Sequence, residues 1–190
     1  GNGALTFGVS SAQVFCHSRD GLASPDIQLL FSPASYDEAR FGTLEKKPGA
    51  TIAVSIARPE SRGTIMATSP FSTDRPSIKP NYLSATNDIS VILAGIGHAR
   101  RIFASDAMAP HTVHEVAPGD DINGDDALLD YIRNKGTTLY HPVGTCKMGI
   151  DPMAVVDPRL RVHGLDGLRV IDASIMPAVT TGNTNAPTIM

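Results

Sequence analysis

TTLYHPVGTCKMG, residues 137–149, decides how this chain is read, together with its distant partner TTGNTNAPTIM at 180–190. His141 precedes Pro142, which pushes its backbone toward extended or polyproline geometry, and Gly144 permits a tight bend just beyond. A histidine so placed is held on a turn. Downstream, Asn183 and Asn185 precede Ala186 and Pro187, where a helix is expected to begin, aiming side-chain amides and a positive helix end at one spot. A proton acceptor, a hydrogen-bond donor and a helix N-terminus are thus expected to converge.

The totals describe an ordinary globular chain. Its 190 residues suit one or two domains and are enough to bury a core. A formal charge of −3 and 42% hydrophobic residues point to neither a nucleic acid nor a membrane surface. Cys16 and Cys146 lie far apart without a CxxC or a metal-ligand repeat, which argues against a disulfide framework or zinc finger. No signal peptide or transmembrane run is visible, which says little about location because the chain looks trimmed at both ends; the cytoplasm or a membrane periphery is the expectation. Gly1-Asn2-Gly3 runs into an apolar segment without a start methionine, and the chain stops in the first turn of the helix announced by Asn185 and Pro187. The expectation is a C-terminal piece of a larger protein.

Taken in order, residues 9–16 (VSSAQVFC) and 27–31 (IQLLF) are expected strands, the second apolar, bounded by prolines and buried. Residues 35–50 read as a surface loop. TIAVSIA, within 50–57, alternates with a period near two, and GTIMATS at 63–69 answers it across RPESR, which predicts an antiparallel hairpin. Residues 70–81, with Pro70, Pro76 and Pro80, are expected to be irregular, and Arg62, Arg75 and Lys79 to be solvated. A helix over about 88–104, capped by Asn87 or Asp88, would turn Ile89, Ile92, Leu93, Ile96 and Phe103 inward, with Arg100 and Arg101 complementing its dipole. A second helix is expected over 125–134, with Leu128, Leu129 and Ile132 inward and Gly136 ending it. LRVID at 168–172 is apolar and uninterrupted, the pattern of a strand buried on both faces of a parallel sheet. Its end, Asp172-Ala173-Ser174, is where open α/β sheets place ligands. No dinucleotide fingerprint accompanies it: Gly95-Ile96-Gly97 falls inside a helix and Gly1-Asn2-Gly3 follows no strand.

YHPVGTCKMG at 140–149, VVDPRLRVHGLDGLRVIDASIMP at 155–177 and GNTNAPTIM at 182–190 resemble, almost without gaps, the C-terminal signature of the glucose-methanol-choline (GMC) family of FAD-dependent alcohol oxidoreductases. A looser resemblance through RPESRGT at 58–64 and PNYLS at 80–84 covers most of the remainder. The resemblance implies that His141 is the base removing the hydroxyl proton of an alcohol, and that Asn183 occupies the second active-site position, His in some members and Asn in others. Histidine suits such work because a free imidazole titrates near about 6.5. The same resemblance implies that Asp172, Ala173 and Ser174 contact FAD, with Thr184 and Tyr140 as flavin neighbours. It directs the helix from Asn185 at the flavin's pyrimidine edge and puts the glycine-rich half of the FAD site upstream of this chain.

The expected fold is therefore α+β. Residues 1–149 would form a substrate-binding domain, an antiparallel sheet backed by helices, and 150–190 a return segment belonging to an FAD-binding α/β domain that is missing here. The implied partners are that N-terminal FAD domain, an alcohol such as choline or a primary aliphatic alcohol, and an electron acceptor, oxygen or a quinone or another. The isolated piece is expected to be inactive, and an unpaired apolar strand could make it self-associate. Two other readings stay open: a non-catalytic binding or assembly module in which His141 only shapes a turn, and a metal-dependent hydrolase using the histidines. His111 and His114, spaced i, i+3 in a loop, lack a third ligand in sequence, and His98 and His163 match no motif. Cys146 as a thiolate beside His141 competes with a packing role.

Overall fold

The computed structural model describes residues 10–37 and 42–190. Val9 of the first expected strand, part of the 35–50 loop and the Gly1-Asn2-Gly3 segment lie outside the described residues. The backbone divides into two compact units, Gly1–Ile56 with Ile89–Thr137, and Ala57–Asp88 with Thr138–Met190.

In the first unit β1 (Ala12–Cys16), β2 (Ile27–Ser32) and β3 (Thr51–Ile56) form an antiparallel sheet in that order. The central β2 carries the apolar run of the sequence, and Ile27 and Leu29 are buried. Helix α1 (Thr86–Phe103) packs Val91, Ala94 and Ile102 with them, alongside Val54 and Ile56 of β3. The buried face of α1 is thus Val91, Gly95 and Ala99, and the larger Ile92, Leu93, Ile96 and Phe103 are only half-buried, which corrects the expected orientation. The reason is clearance: a Cβ on Gly95 would sit 2.4 Å from Val54 Cγ1 and 3.4 Å from Ile27 Cγ2, so only a small residue lets helix and sheet approach this closely. Arg100 grips the segment that follows, with Nε 3.0 Å from Glu115 Oε2 and an N–H donated to the Ile122 carbonyl at 2.8 Å. Helix α2 (Asp125–Lys135) buries Leu128 and closes where the Gly136 N–H reaches the Ile132 carbonyl at 2.7 Å.

In the second unit the expected hairpin does not form. Strand β4 (Thr64–Met66) pairs instead with β5 (Ser77–Lys79), inside the proline-rich stretch expected to be irregular, while β3 pairs with β2 at the edge of its own sheet. Two features decide it. Gly63 lies so close to β5 that a Cβ would be 2.3 Å from the Lys79 carbonyl oxygen, and Pro76 and Pro80 flank the three-residue strand rather than interrupt it. Asp88, 1% exposed, accepts the N–H groups of Glu60 and Ser61 at 2.8 Å each, which fixes RPESR as a docked loop rather than a tight turn. Asp88 therefore caps that loop, not its own helix.

LRVID is the largest departure from expectation. It forms no strand: Arg169 makes an isolated antiparallel bridge with Arg161, and Leu168 and Ile171 are 50% and 73% exposed. No described strand offers it a ladder, and only Val170 of its apolar residues is half-buried. Around it, Val156 is fully buried between bridges to Met148 and Val162, and Asp157 accepts from the Arg159 and Arg161 backbones and from the Arg161 guanidinium. Those bonds, the guanidinium's first, hold the Asp157 carboxyl down to about 2. The observed architecture, antiparallel sheets with helices, is α+β as expected. No helix among the described residues is long and apolar enough to cross a membrane.

Two outcomes follow from this packing. Gly95→Ala gains about 1 kcal/mol of helix propensity but drives a methyl into a β-branched neighbour, an overpacking cost of about 1–3 kcal/mol. Net destabilisation by urea unfolding is expected, and Val54→Ala in the same chain should reverse it. Because its folded pKa is depressed, Asp157 adds stability that is present above the unfolded value and lost as pH falls through about 2. In a carboxyl-detected NMR titration Arg161→Ala should return Asp157 toward the ordinary carboxylate range; an unmoved titration would refute the assignment of cause.

Candidate active site

Tyr140 adopts φ of 62° and donates its N–H to Thr138 Oγ1 at 3.0 Å, so the chain enters His141 through a left-handed residue. Pro142 keeps the next step extended, and Gly144 turns the chain at φ of 91°. The loop then docks on a 3₁₀ turn, Ala173–Ile175: the Cys146 N–H reaches the Ser174 carbonyl at 3.0 Å and the Met148 N–H the Ile175 carbonyl at 2.8 Å. Asp172 caps that turn, accepting the Ser174 N–H at 2.7 Å, and its hydrogen bonds with Ser174 hold its carboxyl below the usual range.

The second motif arrives through Gly182 and starts α3 (Asn185–Ile189), whose cap position is Thr184, so Asn185 opens the helix and does not precede it as expected. The Thr184 carbonyl accepts the N–H of Thr188 at 3.0 Å and its hydroxyl at 2.6 Å. Here the two expected catalytic residues meet: Asn183 Nδ2 is 2.7 Å from His141 Nε2. On the other ring nitrogen, Nδ1 lies 2.9 Å from Thr184 Oγ1, with the Thr184 backbone nitrogen at 3.5 Å. With the amide in this orientation its N–H donates to Nε2, an arrangement that fits a neutral ring carrying its proton on Nδ1, next to the hydroxyl. Thr184 is 6% exposed while His141 is half-buried and Asn183 exposed, so the ring is anchored on its inner side and approachable on its outer side.

Of the sequence-named residues, His141, Asn183 and Thr184 are in direct contact, and Asp172, Ala173 and Ser174 are joined to the histidine loop through its Cys146 and Met148 backbone. Tyr140, adjacent in sequence, is 65% exposed. The Thr184 hydroxyl contact was not foreseen; its only signal is a hydroxyl residue directly after Asn183. Cys146 is an unbridged, half-buried thiol whose backbone makes the docking bond. Among the described residues no group of three His, Cys, Asp or Glu side chains could hold a metal ion. The arrangement can accept a proton at one imidazole nitrogen and donate a hydrogen bond from a neighbouring amide.

Residues 59–190 match the family model described as GMC oxidoreductase. An alcohol dehydrogenase [acceptor] of Pseudomonas putida is 44% identical over 188 residues, 99% of this chain and 34% of the relative. The mitochondrial choline dehydrogenase of Homo sapiens is 42% identical over 179 residues, 93% of this chain and 30% of the relative. Among solved structures, pyridoxine 4-oxidase from Mesorbium loti superposes with a TM-score of 0.80 at 30% identity, covering 95% of this chain and 36% of that one. A fungal aryl-alcohol oxidase gives 0.71 at 25% identity, covering 89% and 26%. The chain spans about a third of the length of the curated relatives it matches.

Gly144 is the backbone position on which this geometry turns. Its φ is 91°, and a Cβ would lie 3.3 Å from the Met176 carbonyl oxygen. Gly144→Ala is expected to cost about 1–3 kcal/mol in urea unfolding and to shift the His141 ring resonances. An unchanged midpoint and spectrum would show that the turn does not place the ring.

Proposed function

Since the chain belongs to the GMC oxidoreductase family, we propose that it is the alcohol-handling part of an FAD-dependent oxidoreductase acting on the CH–OH group of a primary alcohol, choline or an aliphatic one. On this reading residues 1–149 contribute to substrate binding, and 150–190 return to an FAD-binding domain formed by further sequence. The exposed Leu168 and Ile171 support the second assignment. An electron acceptor, oxygen or a quinone-type compound, completes the cycle, and the 190 residues alone are expected to be inactive.

The donor set suits a flavin. A neutral imidazole, a neutral amide and the exposed side chains of Tyr140 and Ile171 are compatible with a flat, uncharged ring. The Asp172 carboxylate accepts one backbone N–H and keeps lone pairs for a hydroxyl of the cofactor chain. Asp172, Ala173 and Ser174 would hold FAD with Tyr140 near it, while Thr184 turns its hydroxyl to His141. When bound, FAD supplies the acceptor for the hydride leaving the carbinol carbon.

His141 Nε2 takes the hydroxyl proton, which makes the ring an imidazolium still donating from Nδ1 to Thr184. Asn183 donates to the alcohol oxygen as negative charge develops there, a contribution that grows toward the transition state. The observation that carries this reading is the Asn183 amide donor at 2.7 Å from Nε2, which marks that nitrogen as the acceptor.

The test is alcohol turnover by the FAD-loaded protein with an artificial acceptor. His141→Ala is expected to lower kcat/KM by about 10²–10⁴-fold and Asn183→Ala to lower kcat by about 10²–10³-fold. Undiminished turnover without the imidazole would end the base assignment.

A further inference from the structure

We propose that the Thr184 hydroxyl is the positioning group that fixes the protonation pattern of His141, keeping the ring proton on Nδ1 and the Nε2 lone pair free for substrate. This rests on the proposed role of His141 and deepens it. A neutral imidazole has one proton and two places to put it, and only the form with a bare Nε2 can accept a hydroxyl proton. Which form is present is set by what faces both nitrogens.

Two Thr184 groups face Nδ1: a hydroxyl that can serve either form, and a backbone N–H that favours only one. The hydroxyl oxygen, 2.9 Å away, can accept from Nδ1–H. The backbone N–H, at 3.5 Å, can only donate, and so favours a bare Nδ1. The Asn183 amide decides between them: its N–H at 2.7 Å claims Nε2 as the acceptor, which leaves the ring proton on Nδ1 with the hydroxyl as its acceptor, while the backbone contact at 3.5 Å is at the limit of what counts as a bond. At 6% exposure Thr184 leaves little room for water to replace the oxygen. Its carbonyl, held by the Thr188 N–H and hydroxyl, ties it into the first turn of α3, so the acceptor is carried by anchored backbone.

Remove the hydroxyl and Nδ1–H faces a backbone donor with no acceptor. The proton then moves to Nε2, and the Asn183 amide can rotate to offer its carbonyl oxygen to Nε2–H. The ring would still be hydrogen-bonded and folded in place. It would have lost the lone pair on the side facing substrate.

The test reads the ring directly and needs no cofactor. In the 190-residue chain at a pH where free imidazole is neutral, long-range proton–nitrogen correlation spectra distinguish protonated from bare ring nitrogens. Protonated Nδ1 and bare Nε2 are expected in the parent and in Thr184→Ser, and a reversed or averaged pattern in Thr184→Val, which keeps the side-chain shape without the oxygen. A proton on Nε2 in the parent, or the parent pattern retained in Thr184→Val, would overturn the proposal. Should Thr184→Val fail to fold, the parent spectrum decides by itself: protonated Nδ1 supports the proposal and protonated Nε2 overturns it.

In the FAD-loaded protein Thr184→Val should lower kcat/KM by about 10–100-fold, the size typical when the group orienting a functional histidine is removed, and Thr184→Ser should recover most of that loss. The two readings fail separately. A ring pattern reversed in Thr184→Val with turnover intact in His141→Ala would refute the base while leaving Thr184 its hold on the ring; a pattern unaltered in Thr184→Val with turnover abolished in His141→Ala would do the opposite.

Discussion

Two backbone hydrogen bonds, Cys146 N–H to the Ser174 carbonyl and Met148 N–H to the Ile175 carbonyl, hold the candidate site together. They dock the histidine loop on the 3₁₀ turn that Asp172 caps, and they fix where the ring stands before any side chain takes part. Closing a loop of 43 residues between His141 and Thr184 costs about 3 kcal/mol in chain entropy. The two docking bonds and the two side-chain bonds to the ring contribute about 1 kcal/mol each, which is near balance. Burying Val156, at 0% exposure beside the docked loop, adds about 2 kcal/mol and tips the sum toward closure. The site is therefore held by the small cluster under it as much as by its own polar contacts.

The same logic separates the segments whose structure could be read in the sequence from those whose structure could not. Strand β2 and helix α2 were legible because their signals are local: an apolar run between prolines, and acidic residues opening an amphipathic turn that closes at Gly136. The pairing of β4 with β5 was not. TIM has no better local claim on SIK than on TIAVSI, and the choice was made by Asp88 pinning Glu60 and Ser61 and by the close approach at Gly63. The face of α1 was misread for a related reason. Periodicity selects large apolar residues, but the helix meets the sheet through Val91 and Gly95, where closeness of approach outweighs side-chain area. LRVID shows the reverse case, in which the composition of a buried strand is present and the covering elements are not among the described residues.

For the site, the sequence pointed to an imidazole and an amide that meet at 2.7 Å in the structure, because proline, glycine and the asparagine pair mark two turns that carry polar side chains. The contact of Nδ1 with Thr184 was hidden. Thr184 looked like a flavin neighbour from its place in the motif, and nothing local says that its hydroxyl turns back across 43 residues to a histidine. Asn185 looked like the helix cap, yet the chain enters α3 one residue earlier. A shift of one position in a helix start redirects every side chain around it, and cap identity is the least reliable part of a sequence reading.

The bond between Asn183 and Nε2 bears on how the proposed base would meet an alcohol. Nε2 has a single lone pair, in the ring plane, and Asn183 Nδ2 occupies it at 2.7 Å. A hydroxyl that donates to Nε2 must displace that amide, and the displaced N–H can then donate to the incoming oxygen. One neutral hydrogen bond is exchanged for two around a new oxygen, so the swap itself costs little against the about 0.5–1.5 kcal/mol net value of such a bond. The resting contact keeps a half-buried imidazole satisfied without blocking it, because the group that satisfies it is also the one that would hold the substrate. Thr184 makes the exchange one-sided. With the proton anchored on Nδ1, loss of the Asn183 donor leaves a bare acceptor and not an N–H, and the position opened by the amide is one that only a donor, such as an alcohol hydroxyl, can fill.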